Sequence, residues 1–160
     1  MGKRVKIAVV GVGLMGRQHL KAIKISKKAT LHSIVDINKK SFLLSKNFKV
    51  PFYQDTNELL KSNKPDAVII PTPNHFHEKH SIRFLNEKIP LLLEKPISDN
   101  IKKAEKIIKS SKKNKTPLLI GYHRRHNFMV SSIKKKIDSG KLGKIVSANV
   151  LCWLYKNKDW

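Results

Sequence analysis

Cysteine is almost absent from the 160 residues: Cys152 stands alone, so no internal disulfide can form and nothing points to an oxidising compartment. Long apolar runs are absent too. None approaches the ~20 residues of a membrane-spanning helix, so a soluble, cytoplasmic protein with no membrane partner is expected. Acidic residues are scarce, with 11 Asp and Glu against 34 Lys and Arg, a formal charge of +23. Such a charge raises a nucleic-acid reading, but aromatic residues are only 7% of the chain and are not interleaved with the basic runs as a base-stacking platform requires. No recognition helix or winged module is evident either. Lysines recur instead in almost every polar segment, among them Lys27, Lys28, Lys39, Lys40, Lys102, Lys103, Lys112, Lys113, Lys134, Lys135 and Lys136. That is the pattern of a solvated surface. Lys3, Arg4 and Lys6 ahead of Ile7-Ala8-Val9-Val10 imitate a short signal peptide, yet no convincing cleavage site follows, and the segment reads as a buried strand.

What is present is an alternation of short apolar runs with helical stretches, the signature of parallel strands joined by crossover helices. Strands are predicted near residues 5–10, 30–36, 50–53, 66–71, 90–94 and 117–121. Most are continuously apolar, as in Ala67-Val68-Ile69-Ile70 and Leu91-Leu92-Leu93, which suits strands covered on both faces. The clearest helix places Ile101, Ala104, Ile107 and Ile108 inward and Lys102, Lys103, Lys106 and Lys109 outward, with Asp99 or Asn100 as its cap. Met129, Val130, Ile133 and Ile137 define a last helix, with Gly140 placed for a left-handed C-terminal cap. Residues 144–155 then form a long β-prone run, expected to be the first strand of a second domain. The fold class is α/β: a doubly wound parallel Rossmann sheet over 1–121, a connecting segment and helix over 122–143, and the start of a truncated α+β domain over 144–160.

Gly11-Val12-Gly13-Leu14-Met15-Gly16 matches G-x-G-x-x-G, a weak motif by itself. Here it follows a predicted strand, opens a predicted helix, and precedes an acidic residue, Asp36, at the end of the second strand. Each part has a physical task. Gly11 permits the tight turn, Gly13 lets the backbone approach a pyrophosphate, and Gly16 lets the helix pack on the strand. The helix N-terminus offers N–H groups and a positive dipole end to phosphate. Asp36 accepts hydrogen bonds from ribose hydroxyls and repels a 2′-phosphate, so NAD is expected over NADP, although Lys39 and Lys40 soften that preference.

Three further segments lie beyond predicted strand ends: Pro71-Thr72-Pro73-Asn74-His75-Phe76-His77, Glu94-Lys95-Pro96 and Gly121-Tyr122-His123-Arg124-Arg125-His126-Asn127. With the glycine motif they give the chain, from about residue 4 onward, a resemblance to the Gfo/Idh/MocA family of nicotinamide-dependent sugar and polyol oxidoreductases. The resemblance implies that Thr72, Asn74, His77, Glu94 and Lys95 line the nicotinamide half of the cofactor and that Lys95 is the catalytic lysine. A partly desolvated lysine can give up its proton and then take one from an alcohol as hydride leaves the carbon. Arg124 is placed with the cofactor set, while Arg124 and Arg125 between them could steady either cofactor or domain junction. His75, His77, His80, His123 and His126 are not read as a metal site, because no cysteine or carboxylate cluster accompanies them.

Family members are roughly twice this length, and their second domain supplies substrate contacts and the remaining catalytic groups. The isolated chain is therefore expected to bind NAD and to lack a complete site for its sugar or polyol (inositol-like) substrate. Its partner would be a second copy of itself or a missing C-terminal half. The rival readings are a noncatalytic NAD-binding subunit, half of a split enzyme, and an NAD-sensing nucleic-acid regulator.

Overall fold

The computed structural model describes residues 2–151 and 153. The chain divides into two compact units, 1–122 and 123–160. The first is a six-stranded sheet whose strands run in the order β3-β2-β1-β4-β5-β6. They are β1 (Val5–Val10), β2 (Ala29–Val35), β3 (Phe52–Tyr53), β4 (Ala67–Ile70), β5 (Leu91–Leu93) and β6 (Leu118–Ile120), and every pairing is parallel. The helices between them are α1 (Leu14–Ile25), α2 (Phe42–Phe48), α3 (Thr56–Ser62), α4 (His77–Asn86) and α5 (Ile101–Asn114). Chain order reverses at β1, where β2 lies on one side and β4 on the other. In open α/β sheets that switch point is where ligands bind, beyond the strands' C-terminal ends.

Alternation along each strand explains why the apolar runs are unbroken. Ala8 and Val10 of β1, Val68 and Ile70 of β4 and Leu91 and Leu93 of β5 join Leu59, Phe84, Leu85, Ile89 and Ile107 in one cluster. The intervening Val9 and Ile69, with Ile34, join Val12, Leu20 and Ile23 in another. Successive side chains point to opposite faces, so a strand buried on both sides has no position for a polar residue. Phe84, Leu85 and Ile107 are fully buried, and each such side chain contributes about 1.5–3 kcal/mol.

The helices follow their caps. Asn100 accepts from the N–H of Lys103 at 3.0 Å and starts α5, whose C-cap Lys115 takes the left-handed conformation at φ 51°. Asp99, the alternative cap, pairs with Lys103 at 2.9 Å instead. The inward face of α5 is narrower than the periodicity predicts: Ile107 is buried, whereas Ile101 is 77% exposed and Ile108 is at the surface. The helix packs chiefly against α4.

The second unit holds a 3₁₀ turn (His123–His126) and α6 (Phe128–Asp138), capped by the Asn127 side chain. Gly140 adopts φ +70°, and its N–H bonds to Ile137 O at 3.0 Å, the left-handed ending the sequence predicts. The strand expected over 144–155 does not form among its described residues, 144–151 and 153. A strand exists by pairing its backbone with a neighbour, and a β-prone run without a paired neighbour stays irregular. Cys152, Leu154 and Tyr155 of that expectation lie outside the described residues.

Candidate functional site

The motif segments collect at the C-terminal edge of the sheet because the hydrogen-bond ladder continues one residue past several strands. Gly11 N–H reaches Val35 O (2.7 Å), Asp36 N–H reaches Tyr53 O (3.1 Å), Glu94 N–H reaches Ile70 O (3.1 Å) and Gly121 N–H reaches Leu93 O (2.8 Å). Four motif residues from four chain segments are thereby held in one row.

The glycines have three separate reasons to be glycine. Gly11 sits at φ +96°, and a Cβ there would meet Thr72 Cγ2 at 2.9 Å. A Cβ on Gly16 would overlap Gly11 O and come within 3.4 Å of Pro71, so α1 lies directly on the turn. Gly13 has an ordinary φ of −62° and faces open space, with nothing within 4 Å of the position a Cβ would take. No side chain caps α1. The N–H groups of its first turn lack intrahelical acceptors by helix geometry and are left for a ligand.

Asp36 holds this loop as well as bounding it. Its Oδ2 accepts the Val12 N–H and its Oδ1 the Asn38 N–H, both at 2.8 Å. Each carboxylate oxygen keeps a lone pair for a further donor. All six residues Gly11–Gly16 are expected to contact the cofactor, and of these Val12 is turned away. Its amide is committed to Asp36, its side chain is buried in the core, and its carbonyl accepts from Arg17 Nε at 3.3 Å, so no group of Val12 is left to donate to phosphate. Leu14 and Met15, by contrast, stand at the surface on the open turn of α1.

The segment after β4 forms a 3₁₀ turn, Asn74–Phe76, that leads into α4. Asn74 is exposed, and Thr72 Oγ1 is buried without a partner. His77 does not face a cofactor. It is fully buried, with Nε2 2.8 Å from Thr72 O and Nδ1 2.9 Å from Pro96 O. Both partners are acceptors, so a neutral ring can donate to only one and a doubly protonated ring to both. His77 is a clamp between two motif segments, with no ring nitrogen left for a ligand. His80 is also turned inward. Burial, with the nearby charges of Lys79, Arg83 and His77, pushes its pKa down to about 4.

Glu94 is buried, and Lys95 beside it is exposed. Glu94 Oε1 accepts from His19 Nε2 at 2.8 Å, and Oε2 lies 3.3 Å from the Lys95 N–H. Sequence reasoning missed His19. The available signal was its position: Gly16, Leu20 and Ile23 form the buried stripe of α1, and a polar residue three positions after Gly16 on that stripe calls for an inward partner. Arg124 lies in the second unit, in the 3₁₀ turn. Among the described residues, no group of three or more His, Cys, Asp or Glu could hold a metal, and no helix is long and apolar enough to cross a membrane.

Open space at Gly13, an uncapped helix start and the orphaned Thr72 hydroxyl together fit a phosphate-bearing dinucleotide. Residues 5–122 match the profile of an oxidoreductase family described as having an NAD-binding Rossmann fold. The chain is 27% identical over 141 residues to myo-inositol 2-dehydrogenase of Thermotoga maritima, covering 87% of this chain and 42% of that protein. It is 27% identical over 148 residues to glucose-6-phosphate 3-dehydrogenase of Bacillus subtilis, covering 91% and 41%. It superposes on scyllo-inositol dehydrogenase of Lactobacillus casei, solved with bound NAD(H) and scyllo-inositol, with a TM-score of 0.83 at 26% identity, over 88% of this chain and 43% of that one. The chain thus spans about two-fifths of the length of these relatives.

Proposed function

The chain belongs to the Gfo/Idh/MocA oxidoreductase family, and from that premise we propose that it is the NAD-binding portion of an enzyme oxidising a CH–OH group of a sugar or inositol-like polyol. The observation that carries the reading is the open face of Gly13 against the uncapped start of α1, with the Asp36 carboxylate at the neighbouring strand end. The N–H groups of Leu14 and Met15 bind the pyrophosphate, Asp36 takes the ribose hydroxyls, and Thr72 and Asn74 bound the nicotinamide end. Asp36 sets the preference for NAD over NADP through like-charge repulsion of a 2′-phosphate.

A bound nicotinamide supplies the two-electron acceptor. Lys95 takes the hydroxyl proton of the substrate after a covering partner has desolvated its amine and its own proton has passed to water. A second copy of the chain, or residues corresponding to the relatives' additional length, would orient the substrate. Fluorescence titration with NADH and NADPH tests the reading. Saturable NADH binding that is lost in Gly13→Val supports it, and equal affinity for both cofactors removes the role given to Asp36.

A further inference from the structure

Glu94 is the point where three motif segments meet. Its backbone N–H is tied to β4, its Oε1 accepts from His19 on the helix that opens the glycine loop, its Oε2 faces the Lys95 N–H, and its carboxylate lies 3.1 Å from where a Cβ of Gly121 would be. The side chains of His19 and Glu94 are only 20% and 7% exposed. With its side chain this buried, little of the Glu94 carboxylate is open to a ligand. A buried carboxylate held by one short hydrogen bond is sensitive to that bond's loss, because its oxygen then has no water to replace the donor. The bond joins residues 75 positions apart and connects the phosphate-binding helix to the turn that carries Lys95.

We propose that His19 and Glu94 are a positioning pair: they set the Lys95 turn relative to α1, so that gripping the pyrophosphate also aligns the reacting end of the site. The inference rests on the reading of Lys95 as the reacting amine. A pair acting in this way matters to a ligand that reaches the nicotinamide end and is indifferent to one that stops at the ribose diphosphate. His19→Gln keeps a donor at about the reach of Nε2, whereas His19→Leu removes it.

Calorimetric titration of the chain and both variants with NADH and with ADP-ribose separates the possibilities. In His19→Leu, NADH should bind about tenfold more weakly while ADP-ribose stays within about twofold, and His19→Gln should recover most of the loss. Unchanged NADH affinity overturns the proposal. An equal loss for both ligands also overturns it, since the pair would then only brace the helix, and so does failure of the Gln variant to recover. Amide hydrogen exchange at Lys95 in the ligand-free chain is the second readout. Protection should drop about tenfold or more in His19→Leu and return in His19→Gln. Unchanged exchange overturns the proposal even if NADH binds, and wild-type chain binding neither ligand defeats the cofactor reading on which it stands.

Discussion

Two glycines of one motif should fail in opposite ways. At Gly16 an added Cβ overlaps the carbonyl of Gly11, a backbone atom that cannot rotate aside, so Gly16→Ala must push α1 off the turn. Overpacking of this kind costs about 3 kcal/mol at its upper range. Replacing a helical glycine by alanine returns about 1 kcal/mol. The net loss is then about 2 kcal/mol, or about 6–8 °C in Tm for a domain of this size. At Gly13 the backbone is ordinary and the added group meets nothing. Gly13→Val loses up to about 1 kcal/mol as a poorer N-cap and regains about 0.4–1 kcal/mol from a stiffer unfolded chain, so Tm should move by no more than about 2 °C. Its side chain nevertheless occupies the space a phosphate needs, and NADH affinity should fall about 100-fold or more, equivalent to about 2.7 kcal/mol. Circular-dichroism melts paired with NADH titration of both variants read this out. A Gly13→Val chain that melts as early as Gly16→Ala, or that still binds NADH, would refute the assignment of open space at Gly13 to the ligand.

Asp36→Ala should lower NADH affinity about tenfold and narrow the gap to NADPH, and because it also releases the Val12 N–H it should speed amide exchange at Val12; a retained cofactor gap in titrations argues against the carboxylate as the discriminator. His77→Leu removes the ring that, when neutral, donates to one of the Thr72 and Pro96 carbonyls, at about 1–3 kcal/mol, so urea melts should show at least about 1 kcal/mol of destabilisation, and a change under about 0.5 kcal/mol would mean the clamp is dispensable. His80 has its folded pKa lowered to about 4 by burial, against 6.5 when unfolded, so the unfolded chain binds more protons between these values and stability falls as pH drops from about 6.5 toward 4. Discounted for its partial exposure, the loss is about 1–2 kcal/mol, and His80→Gln should flatten the pH dependence of the urea midpoint; parallel slopes would contradict the assignment.

The parts of the site legible in the sequence are those whose signal is local. The glycine loop, its strand and helix, and Asp36 fall within about thirty residues and are fixed by steric needs that only particular residues meet. The two-sided burial of β1, β4 and β5 was legible because a continuously apolar strand leaves neither face fit for water. What stayed hidden depends on which side of an element faces the core. His77 reads as a ligand in its motif, and only the seating of α4 shows its ring turned away. Val12 belongs to the glycine motif, but Asp36 claims its amide. Residues 144–151 have the composition of a strand without the pairing that makes one, and pairing is a property of two segments.

The two ends of the site differ in how much of them this chain builds. At the phosphate end Gly11 and Asp36 are fixed by backbone bonds of 2.7 and 3.1 Å to neighbouring strands, and the Asp36 carboxylate holds the Val12 N–H at 2.8 Å, so the grip is preorganised and little order must be gained on binding. At the reacting end the chain offers an exposed amine on Lys95, a clamp in His77 and a brace in Glu94, all of which place the lysine and none of which can hold a polyol. A flexible amine in water gains little from proximity until something fixes the alcohol within reach of it. Affinity for the ribose diphosphate part of the dinucleotide should therefore reside in residues 11–36, whereas turnover should depend on whatever covers Lys95.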